Sequence, residues 1–206
     1  MSTDELQMAD HWWWRPGWRE GREFYTWHVT FQDALDVHRL AEAYRRGLAG
    51  VPGLDLIPDR WLHLTMQGLG FTDEVADADL RAIIDAAAVR LRGLPAFGMT
   101  LTRPEITPEA IRWEAQPGDA PAAVRSGIRS AIGDVWPEVP EDATGFAAHV
   151  SIAYSNATGP TEPVARALAA VDEPPAVARI EHVDLIRLNR NHQMYEWETV
   201  AEIPLA

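Results

Sequence analysis

The chain has 206 residues, 47% of them hydrophobic and 24% charged, the profile of a globular protein of one large or two small domains. Cysteine and lysine are both absent, which excludes disulfides, thiolate metal sites, a thiol nucleophile, Schiff-base chemistry and a P-loop. Arginine supplies all 18 basic residues against 31 acidic ones, and the net charge of -13 predicts repulsion of long nucleic acids while allowing a small phosphate-bearing ligand in one local cleft.

Residues 1–22 read as a lead-in with little regular structure. It is acidic and polar at first, then runs through His11, Trp12, Trp13, Trp14, Arg15, Pro16, Gly17 and Trp18. So many indoles are costly to leave in water, so this segment is expected to pack on the body. It would do so either as a flap over the core or as a stacking lid for a nucleobase. No basic region followed by an apolar run opens the chain, and no apolar stretch is long enough to span a bilayer, so the expected location is cytoplasmic and away from membranes.

From residue 24 the periodicity is clear. Residues 24–31 alternate Thr26, His28 and Thr30 on one face with Tyr25, Trp27, Val29 and Phe31 on the other, a half-buried strand. A helix is expected over 33–48, strands over 54–57 and 61–68, and a helix over 72–92. The second half repeats the scheme, with strands at 97–102 and 111–115, a helix at 120–135, a strand at 146–154 and a helix at 161–170. A closing hairpin pairs 178–188 with 195–203. Paired strands with short turns favour antiparallel sheets, giving an α+β class. Residues 23–206 read as a single domain of two similar halves.

The histidines carry the chemistry. With 17 serines and threonines in the chain, chance gives fewer than one His-x-[Ser/Thr] triplet, yet three occur. They are His28-Val29-Thr30, His63-Leu64-Thr65 and His149-Val150-Ser151. On a strand, residues i and i+2 point the same way, so each triplet presents an imidazole and a hydroxyl together. In the latter two, Leu64, Met66, Val150 and Ile152 point into the core and anchor the polar pair. Two matching halves would bring His63 and His149 to one cleft about a pseudo-two-fold axis. Thr26, His28 and Thr30 either line the same cleft from a neighbouring strand or are structural. His11, His38, His182 and His192 read as structural or exposed, and Glu105 and Glu109 as solvated turn charges. Arg60, Arg103, Arg112 and Arg187 lie near expected strands, and any that faces the cleft can bind phosphate. No His-Glu-x-x-His or similar spacing marks a metal site, and no cofactor is expected.

His63-Leu64-Thr65-Met66 and His149-Val150-Ser151-Ile152 resemble the paired signatures of the 2H phosphoesterase superfamily, which includes the LigT-like 2'-5' RNA ligases and the 2',3'-cyclic phosphodiesterases. The strand at Ile111-Arg112-Trp113-Glu114-Ala115 and the closing hairpin fit as well, so the resemblance spans roughly residues 24–203. It implies a bilobal fold of two antiparallel sheets flanked by helices around a central cleft, acting on phosphodiesters without metal. By position it makes His63 and His149 the catalytic histidines and Thr65 and Ser151 their hydroxyl partners on the phosphate. Many members carry a basic or aromatic residue shortly after each tetrapeptide; here Gly68 and Tyr154 stand there. Tyr154 and His28 are candidate substrate contacts.

Two imidazoles with an ordinary pKa of about 6.5 can serve as base and acid near neutrality. The expected activity is hydrolysis of a cyclic or 2'-5'-linked phosphodiester of a nucleotide or short RNA end. The alternatives are 2'-5' ligation by the reverse reaction and a non-catalytic module that binds nucleotide or RNA ends. Oligomeric state is not legible in the sequence.

Overall fold

Period-two alternation and helical apolar stripes produce the elements in the expected order. A computed structural model describes residues 6–206; residues 1–5 of the expected lead-in lie outside the described residues. The elements are β1 (Gln7–Met8), β2 (Phe24–Thr30), α1 (Leu35–Leu48), β3 (Leu54–Leu56), a 3-10 turn (Asp59–Trp61), β4 (His63–Phe71), α2 (Asp77–Leu91), β5 (Phe97–Leu101), β6 (Glu105–Ile106) and β7 (Ala110–Glu114). They continue with α3 (Asp119–Gly133), β8 (His149–Ser155), β9 (Gly159–Pro160), α4 (Glu162–Ala169), β10 (Ala176–Ile180), β11 (His182–Asn189) and β12 (Glu196–Pro204).

Two four-stranded antiparallel sheets dominate, in the orders β12-β11-β2-β4 and β3-β8-β7-β6. Each carries one His-x-hydroxyl triplet, on β4 and on β8. The helices turn their apolar stripes inward, Val37, Leu40, Tyr44 and Leu48 from α1 and Val124, Ile128 and Ile132 from α3, all buried. Most buried side chains of both sheets join in one core in which Trp27 and Trp113 are fully enclosed, while Ile186, Leu188 and Trp197 of the β11–β12 hairpin form a smaller separate cluster. Among the described residues, no helix is long and apolar enough to cross a membrane.

The expected strand over 178–188 is two strands. Ala176–Ile180 pairs with β5, and after Glu181 the chain switches sheets, so that β11 pairs with both β12 and β2. Helix α2 begins at Asp77 rather than 72, because residues 72–76 form a turn held by the Val75 N–H on the Phe71 carbonyl.

The tryptophan-rich segment packs on the body. Strand β1 pairs with β9, the His11 N–H donates to the Ser155 carbonyl, and the buried Trp12 ring donates to Asp55 at 2.7 Å. Arg190, from the turn after β11, reaches back to the His11 carbonyl at 3.0 Å. The segment therefore bridges the strand end of one sheet and the hairpin of the other. Trp13 and Trp14 remain about half exposed.

Candidate active site

Alternation on β4 and β8 puts Leu64, Met66, Val150 and Ile152 in the core, each at most 1% exposed. Their neighbours His63, Thr65, His149 and Ser151 then share the opposite faces, and all four line one cleft of about 400 Å³ between the sheets. The two imidazoles are held alike. Each Nδ1 lies 2.8 Å from the carbonyl two residues earlier, Trp61 for His63 and Ala147 for His149. A carbonyl only accepts, so Nδ1 carries the hydrogen and the neutral ring keeps Nε2 as a free base.

Burial lowers the pKa of His63 to about 4; the Trp61 carbonyl opposes the shift and the charge of His149 adds to it. His149 is also lowered by burial, with the Ala147 carbonyl opposing and the nearby Arg112 guanidinium adding. Both rings are therefore neutral at pH 7 in the free protein.

Matching bulges decide what stands beside each hydroxyl. Between β2 and β4 the register skips Met66, so His28 sits directly across from Thr65. Between β7 and β8 it skips Ile152, so Arg112 sits across from Ser151. The skipped residue is the fourth of each tetrapeptide, which extends the pseudo-two-fold relation to backbone irregularity. Arg112 is thus the one of the four candidate arginines that lines the cleft, and Glu105 holds its Nε at 2.7 Å.

His28 lines the cleft wall but is only 1% exposed. Its ring lies parallel to that of His63, and its Nε2 is 3.2 Å from the Thr65 hydroxyl. Burial, with His63 adding, holds its pKa well below the ordinary value. Thr26 also lines the cleft, whereas Thr30 donates instead to Asp184 at 2.7 Å.

The far end of the cleft is closed by aromatic rings. Tyr154 is 4% exposed, with His11 stacked on one face at 4.3 Å and Tyr195 edge-on at 5.4 Å. Burial drives its phenol far above the ordinary range, the charge of Tyr195 adding to the shift. His11, read from the sequence as structural or exposed, lines the cleft, as does Glu109, read as a solvated turn charge. Glu109 bonds His11 Nδ1 at 3.1 Å and accepts from Arg15 at 2.6 Å. Burial takes His11 to a pKa of about 4, Arg15 adding to the shift. Gly68 opens the other end, where a Cβ would stand 2.5 Å from Glu141 Oε1. Among the described residues, the side chains close enough to share a metal ion, His182, Asp184 and Glu202, lie outside this cleft in a second cavity.

Two antiparallel sheets with paired His-x-hydroxyl strands about one cleft define a LigT-like 2H phosphoesterase fold. TT0787 of Thermus thermophilus shares it at a TM-score of 0.67 and 19% identity, covering 89% of this chain and 97% of that one. E. coli LigT complexed with 3'-AMP gives 0.64 at 16% identity over 90% of this chain and 98% of that one. LigT complexed with NADP+ gives 0.61 at 16% over 89% and 98%. No curated protein matches the chain. The model of the 2'-5' RNA ligase superfamily matches residues 31–192, and the chain belongs to that superfamily.

Proposed function

We infer that this chain is a phosphodiesterase acting on a 2',3'-cyclic or 2'-5'-linked phosphodiester of a nucleotide or short RNA end. One observation carries the reading: two imidazoles from different sheets, each with Nδ1 tied to a carbonyl, share a cleft of about 400 Å³ with one hydroxyl apiece. That volume suits a nucleotide-sized ligand. LigT, which shares the fold, has been crystallised with 3'-AMP and with NADP+, both nucleotides bearing phosphate.

The steps follow from the groups present. One neutral Nε2 takes a proton from water as the water oxygen bonds to phosphorus. The P–O bond to one ribose oxygen breaks, and the imidazolium across the cleft gives that oxygen its proton. Solvent exchange then restores both rings. Thr65 and Ser151 hydroxyls donate to the non-bridging oxygens as charge builds there, and Arg112 beside Ser151 balances the phosphate charge. His63, whose pKa is taken lower, acts as base on the cyclic substrate and His149 as acid. Both proton transfers are supplied by side chains, so turnover should persist in EDTA.

The test is a panel of 2',3'-cyclic mononucleotides and 2'-5' dinucleotides assayed in EDTA. Turnover abolished by His63→Ala and by His149→Ala is the expected result. Saturable binding with no turnover of any member would overturn the enzymatic reading in favour of a nucleotide-binding module.

A further inference from the structure

On the hydrogen-bonded hairpin of β11 and β12, Asp184 stands directly opposite Glu202, and His182 lies two residues before Asp184 on the same face. Like charges placed directly across a strand pair destabilise it, so this pairing is a local conflict of the kind that marks a functional position. Asp184 is only 3% exposed. Its Oδ2 accepts from Thr30, but its Oδ1 is buried with no hydrogen-bond partner among the described residues. A buried carboxylate oxygen without a donor is costly to maintain.

The surroundings supply little positive charge. A cavity of about 470 Å³ is lined by the carboxylates of Asp33, Asp36, Glu181, Asp184 and Glu202; Asp36 is paired with Arg39 at 2.9 Å and Glu181 with Arg179 at 3.0 Å, but among the described residues no arginine is paired with Asp184 or Glu202. Into this cavity His182 brings a nitrogen ligand. Its Nε2 lies 3.9 Å from Asp184 Oδ2 and 3.9 Å from Glu202 Oε2, and the three ligating atoms lie within 4.8 Å of one another. Metal–ligand bonds of about 2.0–2.2 Å in tetrahedral geometry separate ligands by roughly 3.4 Å. The exposed Glu202 and half-exposed His182 can close that gap by small rotations, whereas Asp184 is fixed by Thr30. A hydroxyl orienting a ligating carboxylate is the usual outer support of a metal site.

We propose that His182, Asp184 and Glu202 form a binding site for one divalent transition-metal ion of the zinc class, in a cavity separate from the phosphodiester cleft. The imidazole and two carboxylates suit such an ion, and three protein ligands leave a position for water. The bound ion would relieve the Asp184–Glu202 repulsion and tie the hairpin to β2 through Thr30. The sequence alone does not show the site, because Glu202 comes from another strand and no spacing motif joins it to His182.

The test uses the full chain after chelator treatment. Titration with Co2+ should give a visible d–d band saturating at one equivalent, and Zn2+ should displace it and raise Tm. His182→Ala and Glu202→Gln, both at exposed or half-exposed side chains that leave the core intact, should each weaken binding at least tenfold and abolish the Tm rise. His192→Ala removes an exposed His–Glu pair on the hairpin turn and should leave binding unchanged. Absence of saturable binding overturns the proposal, and so does binding that survives His182→Ala and Glu202→Gln or that is lost in His192→Ala.

Discussion

The rings of His28 and His63 lie parallel, 6° apart in plane and with centroids separated by 4.3 Å. Stacked imidazoles cannot both hold a proton cheaply in a buried site, so His28 stays neutral beneath the ring proposed as base. Its other contact is the Thr65 hydroxyl at 3.2 Å. With Nδ1 buried and partnerless, the cheaper tautomer puts the hydrogen on Nε2, since an orphan acceptor costs less than an orphan N–H. His28 then donates to Thr65, and the hydroxyl hydrogen of Thr65 is left free for the phosphate contact proposed above. His28 is on this reading a positioning residue rather than a substrate contact.

That role separates from simple packing. His28→Phe keeps an aromatic ring against His63 but removes the donor to Thr65. The expected result is a fall in kcat of about tenfold with little change in KM, the size of one lost hydrogen bond of about 1.4 kcal/mol. In a Thr65→Val background the same substitution should add almost nothing. Equal losses in both backgrounds would show that His28 acts only through packing.

The pH profile follows from the lowered histidines. In the free enzyme the base must be neutral and the acid protonated. kcat/KM should therefore rise through about pH 4 as His63 loses its proton. It should fall below pH 6.5 as His149 loses its own, since burial has lowered that group also. The expected optimum is acidic, between those limits. In His149→Ala the alkaline limb should vanish along with most of the rate. An optimum above pH 7 would reject the assignment of His149 as acid.

Much of this was legible in the sequence, and the gaps have physical causes. The two strands that carry the paired triplets announce themselves because core contact forces strict alternation around His63 and His149. The sheet switch at Glu181 carries no glycine or proline, so periodicity alone carries the expected strand straight through it. The bulges at Met66 and Ile152 leave no compositional mark, yet they decide that His28 faces Thr65 and that Arg112, of the four candidate arginines, faces Ser151. His11 reaches Glu109 across 98 positions, a contact that only the folded chain creates. The clue nearest to it was the tryptophan cluster that follows it.

Arg112 is accordingly predicted to serve the phosphate. Arg112→Ala should cut kcat/KM by about 10- to 100-fold, the range of one hydrogen bond to a charged group. Arg112→Lys should recover part of the loss, since the charge returns without the fork. Arg187→Ala, at a half-exposed arginine paired with Glu198 outside the cleft, should leave kcat/KM unchanged. A loss in Arg187→Ala matching that in Arg112→Ala would point to net charge rather than local contact.

Buried histidines also couple stability to pH. His11 and His63 have folded-state pKa values of about 4 against about 6.5 unfolded, and burial holds His28 well below its ordinary value as well. Between those values the unfolded chain binds protons that the native chain refuses, so stability is full above pH 6.5 and is lost as pH falls toward 4. Each of His11 and His63 contributes a loss on the order of 3 kcal/mol across that window. Urea unfolding at pH 7.5 and at pH 4.5 should therefore give a much lower midpoint at the acid end. His11→Gln cannot take up a proton in either state, so its stability should decline with a slope smaller by about 1.4 kcal/mol per pH unit. An unchanged slope in that variant would mean that His11 is protonated in the native cleft, with Glu109 rather than burial setting its charge.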